Sequence, residues 1–230
     1  MSTSSLLLAV DGDSFAHRAY HALPKSIRLN AVVGFTNMLT RLWQEERPAS
    51  VLVAWDTLSV PTYRHEAFEA YQSGRVFEES LLEQLDILPE LVEAMGFVAA
   101  KAPGYEADDF LAAAVKAWPG KALVATSDRD AFQLASERVT ILQPTRGVSE
   151  LARIGPDGVR ERYGVDPEQV PDFIALRGDP SDGLPGAKGI GEKTAADLLR
   201  RHAVGESVQA ELPHVRGRLR PFRRVAFQGR

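Results

Sequence analysis

Apolar residues along this chain fall into short unbroken runs separated by longer amphipathic stretches. Leu6–Val10, Val51–Trp55 and Ala122–Thr126 are continuous runs of strand length, and Phe97–Ala100 and Val139–Leu142 are weaker ones. Between them the spacing turns helical: Ser14–His21, Ala31–Glu46 closed by Pro48, Tyr63–Tyr71, and Glu78–Met95, where Pro89 predicts a kink. An Ala-rich helix runs from about Ala107 to Trp118, and a shorter one ends at Ala135. From Gly155 on the pattern is mainly helical, over Pro156–Tyr163, Pro167–Arg177 and Lys193–Arg201, with glycine-rich turns between. Trp43, Trp55 and Trp118 lie on apolar faces and are predicted to be core. After about Ala203 the periodicity fades.

Strand–helix alternation predicts an α/β fold with a mostly parallel central sheet flanked by helices. Right-handed crossovers put the C-terminal ends of the parallel strands on one edge, where open α/β sheets bind ligands. Asp11, Asp56 and Asp128 each stand at or just after such a strand end. The stretch Gly104-Tyr105-Glu106-Ala107-Asp108-Asp109-Phe110 opens a helix after another strand. On that helix Glu106 and Asp109 share a face and Asp108 sits about 100° round from Asp109. One or two acids in a first turn need no more than the helix dipole to account for them. Four acidic patches from distant segments, all directed to one edge, point to a shared cause.

Composition adds limits. The chain has 230 residues, with 44% hydrophobic and 25% charged, enough for one large domain or a main domain with a small one. It has no cysteine, which removes disulfides, thiolate catalysis and Cys-ligated zinc or iron–sulfur sites and suits a cytoplasmic protein. The run at Leu6–Val10 lacks a cationic lead and meets Asp11 directly, so it reads as a strand and not a signal peptide. No run approaches membrane-spanning length. The net charge of −4 is unevenly spread: from Ala203 on, six arginines stand against two glutamates, a local +4 that leaves −8 on the residues before it.

Crowded carboxylates raise one another's pKa unless a cation neutralises them. Oxygen ligands without His or Cys select Mg²⁺ or Mn²⁺, and this many acids suit two ions roughly 3.5–4 Å apart, the arrangement for in-line cleavage of a phosphodiester. A further pair, Asp179 and Asp182, precedes Gly183-Leu184-Pro185-Gly186-Ala187-Lys188-Gly189-Ile190-Gly191-Glu192-Lys193-Thr194. Its glycines allow backbone N–H groups to approach a phosphate, the helix start favours an anion, and Lys188 and Lys193 add charge. It looks like a helix–hairpin–helix, a binder of nucleic-acid backbone irrespective of sequence.

Taken together, these stretches resemble the 5′-nuclease (flap endonuclease) superfamily, in particular the N-terminal 5′–3′ exonuclease domain of bacterial DNA polymerase I and its stand-alone relatives. The matching residues are Val10-Asp11-Gly12 with Arg18 and Tyr20, Asp56, Tyr63-Arg64-His65-Glu66, the Gly104–Asp109 stretch, Ser127-Asp128-Arg129-Asp130, and Gly178-Asp179 through Thr194. They run in family order over about residues 5–202. The resemblance implies a PIN-like core over 1–150 with a helical arch at about 61–95. It implies a helical region over 151–202, whose helix–three-turn–helix at about 178–201 grips duplex DNA with a bound K⁺, and a basic tail over 203–230. It places Asp11, Asp56, Glu106, Asp108 and Asp109 at or near one metal ion. Asp128, Asp130, Asp179 and Asp182 fall at or near the other, with Asp128 close to both, and most of them hold metal-bound water.

The arch departs from the family's usual Tyr-Lys-x-x-Arg: here it reads Tyr71-Gln72-Ser73-Gly74-Arg75. Arg75 is kept and, with Arg18, is assigned to the scissile phosphate. Gln72 carries no charge, a change on the scale of 10²-fold in rate if charge is needed there. Lys101, Arg64 and Arg18 are possible partial substitutes. Arg64, Tyr71, Gln72, Gly186, Lys188, Gly189, Gly191, Lys193 and Thr194 are assigned to DNA contact, with packing inside the arch the alternative for Tyr71. His17, His21 and His65 are given no role. The resemblance thus implies a two-metal 5′-nuclease acting on branched or 5′-ended DNA; a monomer is expected, and at 230 residues any DNA polymerase partner is expected on a separate chain. The alternatives are a DNA-structure-binding protein with weak catalysis, motivated by Gln72, and a nuclease that prefers RNA.

Overall fold

A computed structural model describes residues 5–72, 76–146 and 150–201. Six strands form one sheet in the order β3-β2-β1-β4-β5-β6. They are β1 (Leu7–Asp11), β2 (Ser50–Ala54), β3 (Val98–Ala100), β4 (Ala122–Ala125), β5 (Val139–Arg146) and β6 (Glu150–Ile154). The first five run parallel, and β6 pairs antiparallel with β5. The strand order reverses at β1, which pairs with β2 on one side and β4 on the other. That is the switch point at which such sheets open a crevice.

Side chains of the central strands alternate between two hydrophobic clusters, because successive residues of a strand face opposite sides. Leu7, Ala9, Ala54, Ala122 and Val124 enter one cluster, while Leu8, Val10, Val53, Leu123 and Ala125 enter the other. Both faces are covered, so these strands read as unbroken apolar runs. Helices α1 (Gly12–Ala22), α2 (Asn30–Glu46) and α4 (Glu79–Ala94) cover the second face through Phe15, Phe35, Leu39, Leu85 and Leu88. Helix α5 (Ala107–Ala117) covers the first through Leu111 and Val115. The C-terminal helices α6 (Pro156–Tyr163), α7 (Val170–Arg177) and α8 (Glu192–Arg201) share that core, where the Tyr163 ring stacks on Phe173 at 4.9 Å.

Several expectations change. The helix expected over Tyr63–Tyr71 stops early: α3 is Tyr63–Ala67. The chain beyond it is drawn into contact with a C-terminal loop, where the Gln72 N–H donates to the Asp182 carbonyl (3.1 Å), a tertiary contact that overrides local propensity. Helix α4, expected within the arch, packs on the sheet through Leu81, Leu85, Leu88 and Val92 and continues through Pro89 as one element. The turn after Asp128 is 3₁₀, over Asp130–Leu134. Strand β6 was not expected; it is an edge strand carrying Glu150 and Arg153, and charges that protect an edge also mask its alternation. The β5–β6 pair straddles residue 150, where the sequence reading places a domain boundary. Trp55 is buried and Trp118 half-buried, but Trp43 is 45% exposed, so its expected core position is corrected. Its ring stands tilted against the partly buried Phe97 beside the edge strand β3 (6.0 Å). The arch residues 73–75, Arg75 among them, and the basic tail lie outside the described residues.

Candidate metal centre and nucleic-acid face

The acids at the strand ends are held by the backbone turns they help to make. Asp11 ends β1 and caps α1: its Oδ1 accepts from the Ser14 N–H (2.9 Å) and its Oδ2 from the Thr126 hydroxyl (2.6 Å). Asp13 accepts from the Asp56 N–H (2.7 Å), tying α1 to the end of β2. Asp56 in turn accepts from the N–H of Ala107 (2.8 Å), the first residue of α5. Glu106 caps α5 in a box closed by Asp109, which accepts from the Glu106 N–H (2.9 Å). After β4, Asp128 accepts from the Asp130 N–H (2.8 Å). The Asp179 carboxylate follows α7 and accepts from the Ser181 N–H (2.8 Å).

These segments surround one cavity of about 710 Å³. Seven of the nine acids singled out in the sequence line it: Asp11, Asp56, Glu106, Asp108, Asp128, Asp130 and Asp179. Asp13, to which the sequence reading gave no role, is an eighth. The other two are turned to protein partners. Asp109 takes a forked pair of bonds from Arg64 (2.9 and 3.0 Å) and one from the Tyr63 hydroxyl (3.0 Å). Asp182 is buried and accepts from the Gln72 amide (3.0 Å).

The acids repel one another. Burial, then Asp56 and Asp128, push Asp11 up to about 7, against the lowering bonds from Thr126 and Ser14. Burial and then Asp128 and Asp11 hold Asp108 well above the usual carboxylate range. Burial and then Asp128, Asp182 and Asp179 do the same for Asp130, and burial with Asp56 does so for Asp13. Asp128 thus raises acids of both expected groups, Asp11 and Asp108 in one and Asp130 in the other. The eight acids offer only oxygen and need positive charge, which suits a hard divalent cation. Among the described residues no three acids or histidines close into a ready-made cage. An ion held here would complete its shell with water and phosphate, the usual habit of Mg²⁺.

Three of the residues assigned to DNA contact have other work. Arg64 is 2% exposed and pairs with Asp109, with Glu106 at 3.6 Å, so its assignment to a DNA surface is corrected. Burial alone would lower its pKa; the Asp109 hydrogen bond and the Glu106 charge more than offset this and keep it charged. Tyr71 is 3% exposed, donates to Glu106 (3.0 Å) and packs edge-on against His65, so the alternative of packing replaces base stacking. The Gln72 amide nitrogen, on the cavity wall, donates to the Tyr71 hydroxyl (2.8 Å) and to Asp182 (3.0 Å). Its backbone is left-handed (φ 51°), a conformation held by these contacts.

Arg18 lies in a shallower neighbouring pocket with Ser14, His17, His21 and Ser127. His17 and His21 also line the acid cavity, and a signal existed: Asp13, His17 and His21 recur every fourth residue on one face of α1. In the glycine-rich hairpin, Lys188, Gly189, Gly191, Lys193 and Thr194 are exposed around the start of α8. Gly186 differs: a Cβ there would lie 2.5 Å from the Gly178 nitrogen, so this glycine lets the hairpin pack on the end of α7.

Family models match the chain nearly end to end: the 5′–3′ exonuclease N-terminal resolvase-like domain over residues 6–164, and the 5′–3′ exonuclease C-terminal SAM fold over residues 165–225. The chain belongs to the 5′–3′ exonuclease family. It is 42% identical over 224 residues to DNA polymerase I of Mycobacterium bovis, covering 93% of this chain and 25% of that protein. Against DNA polymerase I of Bacillus caldotenax it is 43% identical over 220 residues, covering 92% and 25%. The chain thus spans about a quarter of the length of these relatives. In fold it matches the flap endonuclease of bacteriophage T5 in complex with DNA and metal ions, with a TM-score of 0.79 at 20% identity over 96% of this chain and 88% of that one.

Proposed function

We propose that this chain is a divalent-metal-dependent 5′-nuclease that hydrolyses DNA phosphodiester bonds at 5′ ends and 5′ flaps. The observation that carries this reading is the wall of eight carboxylates from distant segments around one cavity, where burial and then acidic neighbours push Asp11, Asp108 and Asp130 upward. A protein that only binds DNA gains nothing from concentrating negative charge where phosphates must approach. Mg²⁺ or Mn²⁺, two ions in all, would be held by Asp11, Asp56, Glu106 and Asp108 on one side and by Asp130 and Asp179 on the other, with Asp128 between. Bound there, such ions activate water and stabilise the leaving oxygen.

The chain's own residues do the rest. Arg64 fixes Asp109 and Glu106, and so sets the start of α5. Arg75 and Arg18 contact the scissile phosphate, a role that rests on the sequence resemblance. Lys188, Lys193 and the N–H groups around Gly189, Gly191 and Thr194 hold duplex backbone, with K⁺ at the hairpin. The cysteine-free composition suits a cytoplasmic protein, and the name of the relatives favours work alongside a DNA polymerase. Among the described residues no helix is long and apolar enough to cross a membrane.

A labelled 5′-flap duplex, incubated with Mg²⁺ or Mn²⁺ and resolved by product length and end chemistry, tests the proposal. The expected products carry 3′-hydroxyl and 5′-phosphate ends. Tight binding with no cut at any metal concentration would favour the binding-protein alternative, and cutting of an RNA flap in preference to DNA would favour the other.

A further inference from the structure

The cavity wall holds a cation to which the sequence reading gave no role. Arg177 closes α7 and lines the cavity beside Asp130 and Asp179. Its guanidinium lies against two rings, 5.3 Å from the Phe173 centroid and 5.8 Å from that of Tyr163. Those rings stack on each other in the core, so the platform is fixed. Its Nε donates to the Gly178 carbonyl (3.1 Å). One terminal nitrogen forms an ion pair with Asp179 at 3.6 Å, longer than a hydrogen bond. Among the described residues the terminal nitrogens make no hydrogen bond, so a guanidinium held by ring and carbonyl keeps its outer donors for a ligand.

The contrast with its neighbours is instructive. The Arg64 fork is closed on Asp109, and the Gln72 amide is committed to Tyr71 and Asp182. Arg129, also on the wall, is solvent-exposed. A planar guanidinium presents paired donors that match two non-bridging phosphate oxygens, and a pre-placed one loses little entropy in doing so.

We propose that Arg177 is a substrate-contacting residue that donates to a DNA backbone phosphate on the Asp130–Asp179 side of the cavity and supplies charge that Gln72 does not. This rests on the nuclease reading above.

The test compares wild type with Arg177→Met, which keeps length and ring contact without charge, and Arg177→Lys, which keeps charge without the planar fork. Binding of a 5′-flap duplex is followed by fluorescence anisotropy in Ca²⁺ over a salt series, and cleavage by single-turnover assay in Mg²⁺. For Arg177→Met the slope of log affinity against log salt is expected to become shallower by about one phosphate contact. Its cleavage rate is expected to fall about 10²-fold. Arg177→Lys should keep the slope and cut at an intermediate rate. An unchanged slope and rate in Arg177→Met would overturn the inference. So would tighter Mn²⁺ binding with DNA affinity unaltered, which would make the guanidinium a stand-in for a metal ion. A wild type that neither binds nor cuts the flap would instead sink the nuclease reading, so the two failures are separable.

Discussion

Asp11 shows at one residue how function and stability pull apart. It caps α1 and bonds Thr126, yet burial and its acidic neighbours raise it to about 7. A carboxyl whose folded-state pKa lies above its ordinary value favours the fold fully at low pH, and that contribution is lost as pH rises from near 4 through about 7. Asp11→Asn is therefore expected to stabilise the cation-free protein at pH 8 by on the order of 1–3 kcal/mol and to change little at pH 4.5, read by urea unfolding in EDTA. A variant less stable than wild type at pH 8 would contradict this. Mg²⁺ should raise the melting temperature more at pH 8 than at pH 5.5, since protons compete for the same oxygens. At this scale the strand-end acids were legible because a carboxylate just after an apolar run has a known place in the fold. The partners of Arg64 were not, because Asp109 lies 45 residues away and only folding brings the two together. Asp13, His17 and His21 were legible too, spaced four residues apart on one face of α1.

Elements position the acids by close contact. The chain leaves β1 and enters α1 at Gly12, where a Cβ would lie 2.6 Å from the Trp55 ring. Trp55 is fully buried and cannot yield. Gly12→Ala should thus displace the start of α1, carrying Asp11 and Asp13 with it, and cost about 1–3 kcal/mol. The check is urea unfolding together with the Mg²⁺-induced shift in melting temperature; wild-type values for both would show that the contact does not position the site. Strands β1, β2 and β4 were legible because both their faces are buried. Strand β6 was not, since its exposed edge mixes charge into the pattern, and α3 ended early because the loop at Asp182 and Gly183 captures the backbone after it.

Across the whole molecule, opposite charges are separated: an acid-lined cavity at the sheet's edge, and exposed lysines at the hairpin before α8. Binding and chemistry should therefore separate by mutation. Lys188→Ala and Lys193→Ala are expected each to reduce the salt slope of duplex binding by about one unit. Cleavage at saturating DNA should stay near wild type, and an equal loss of cleavage there would place these lysines in the chemistry instead. The central claim is that the converging acids form a centre that cuts phosphodiesters only with a divalent cation, with Asp128 at its middle. Single-turnover cleavage of a 5′-flap duplex over a Mg²⁺ titration, in wild type and Asp128→Ala, tests it most directly. The account predicts a rate that rises with Mg²⁺, vanishes in EDTA and falls at least about 10²-fold in Asp128→Ala. Cleavage that persists in EDTA, or that Asp128→Ala leaves unchanged, would contradict it.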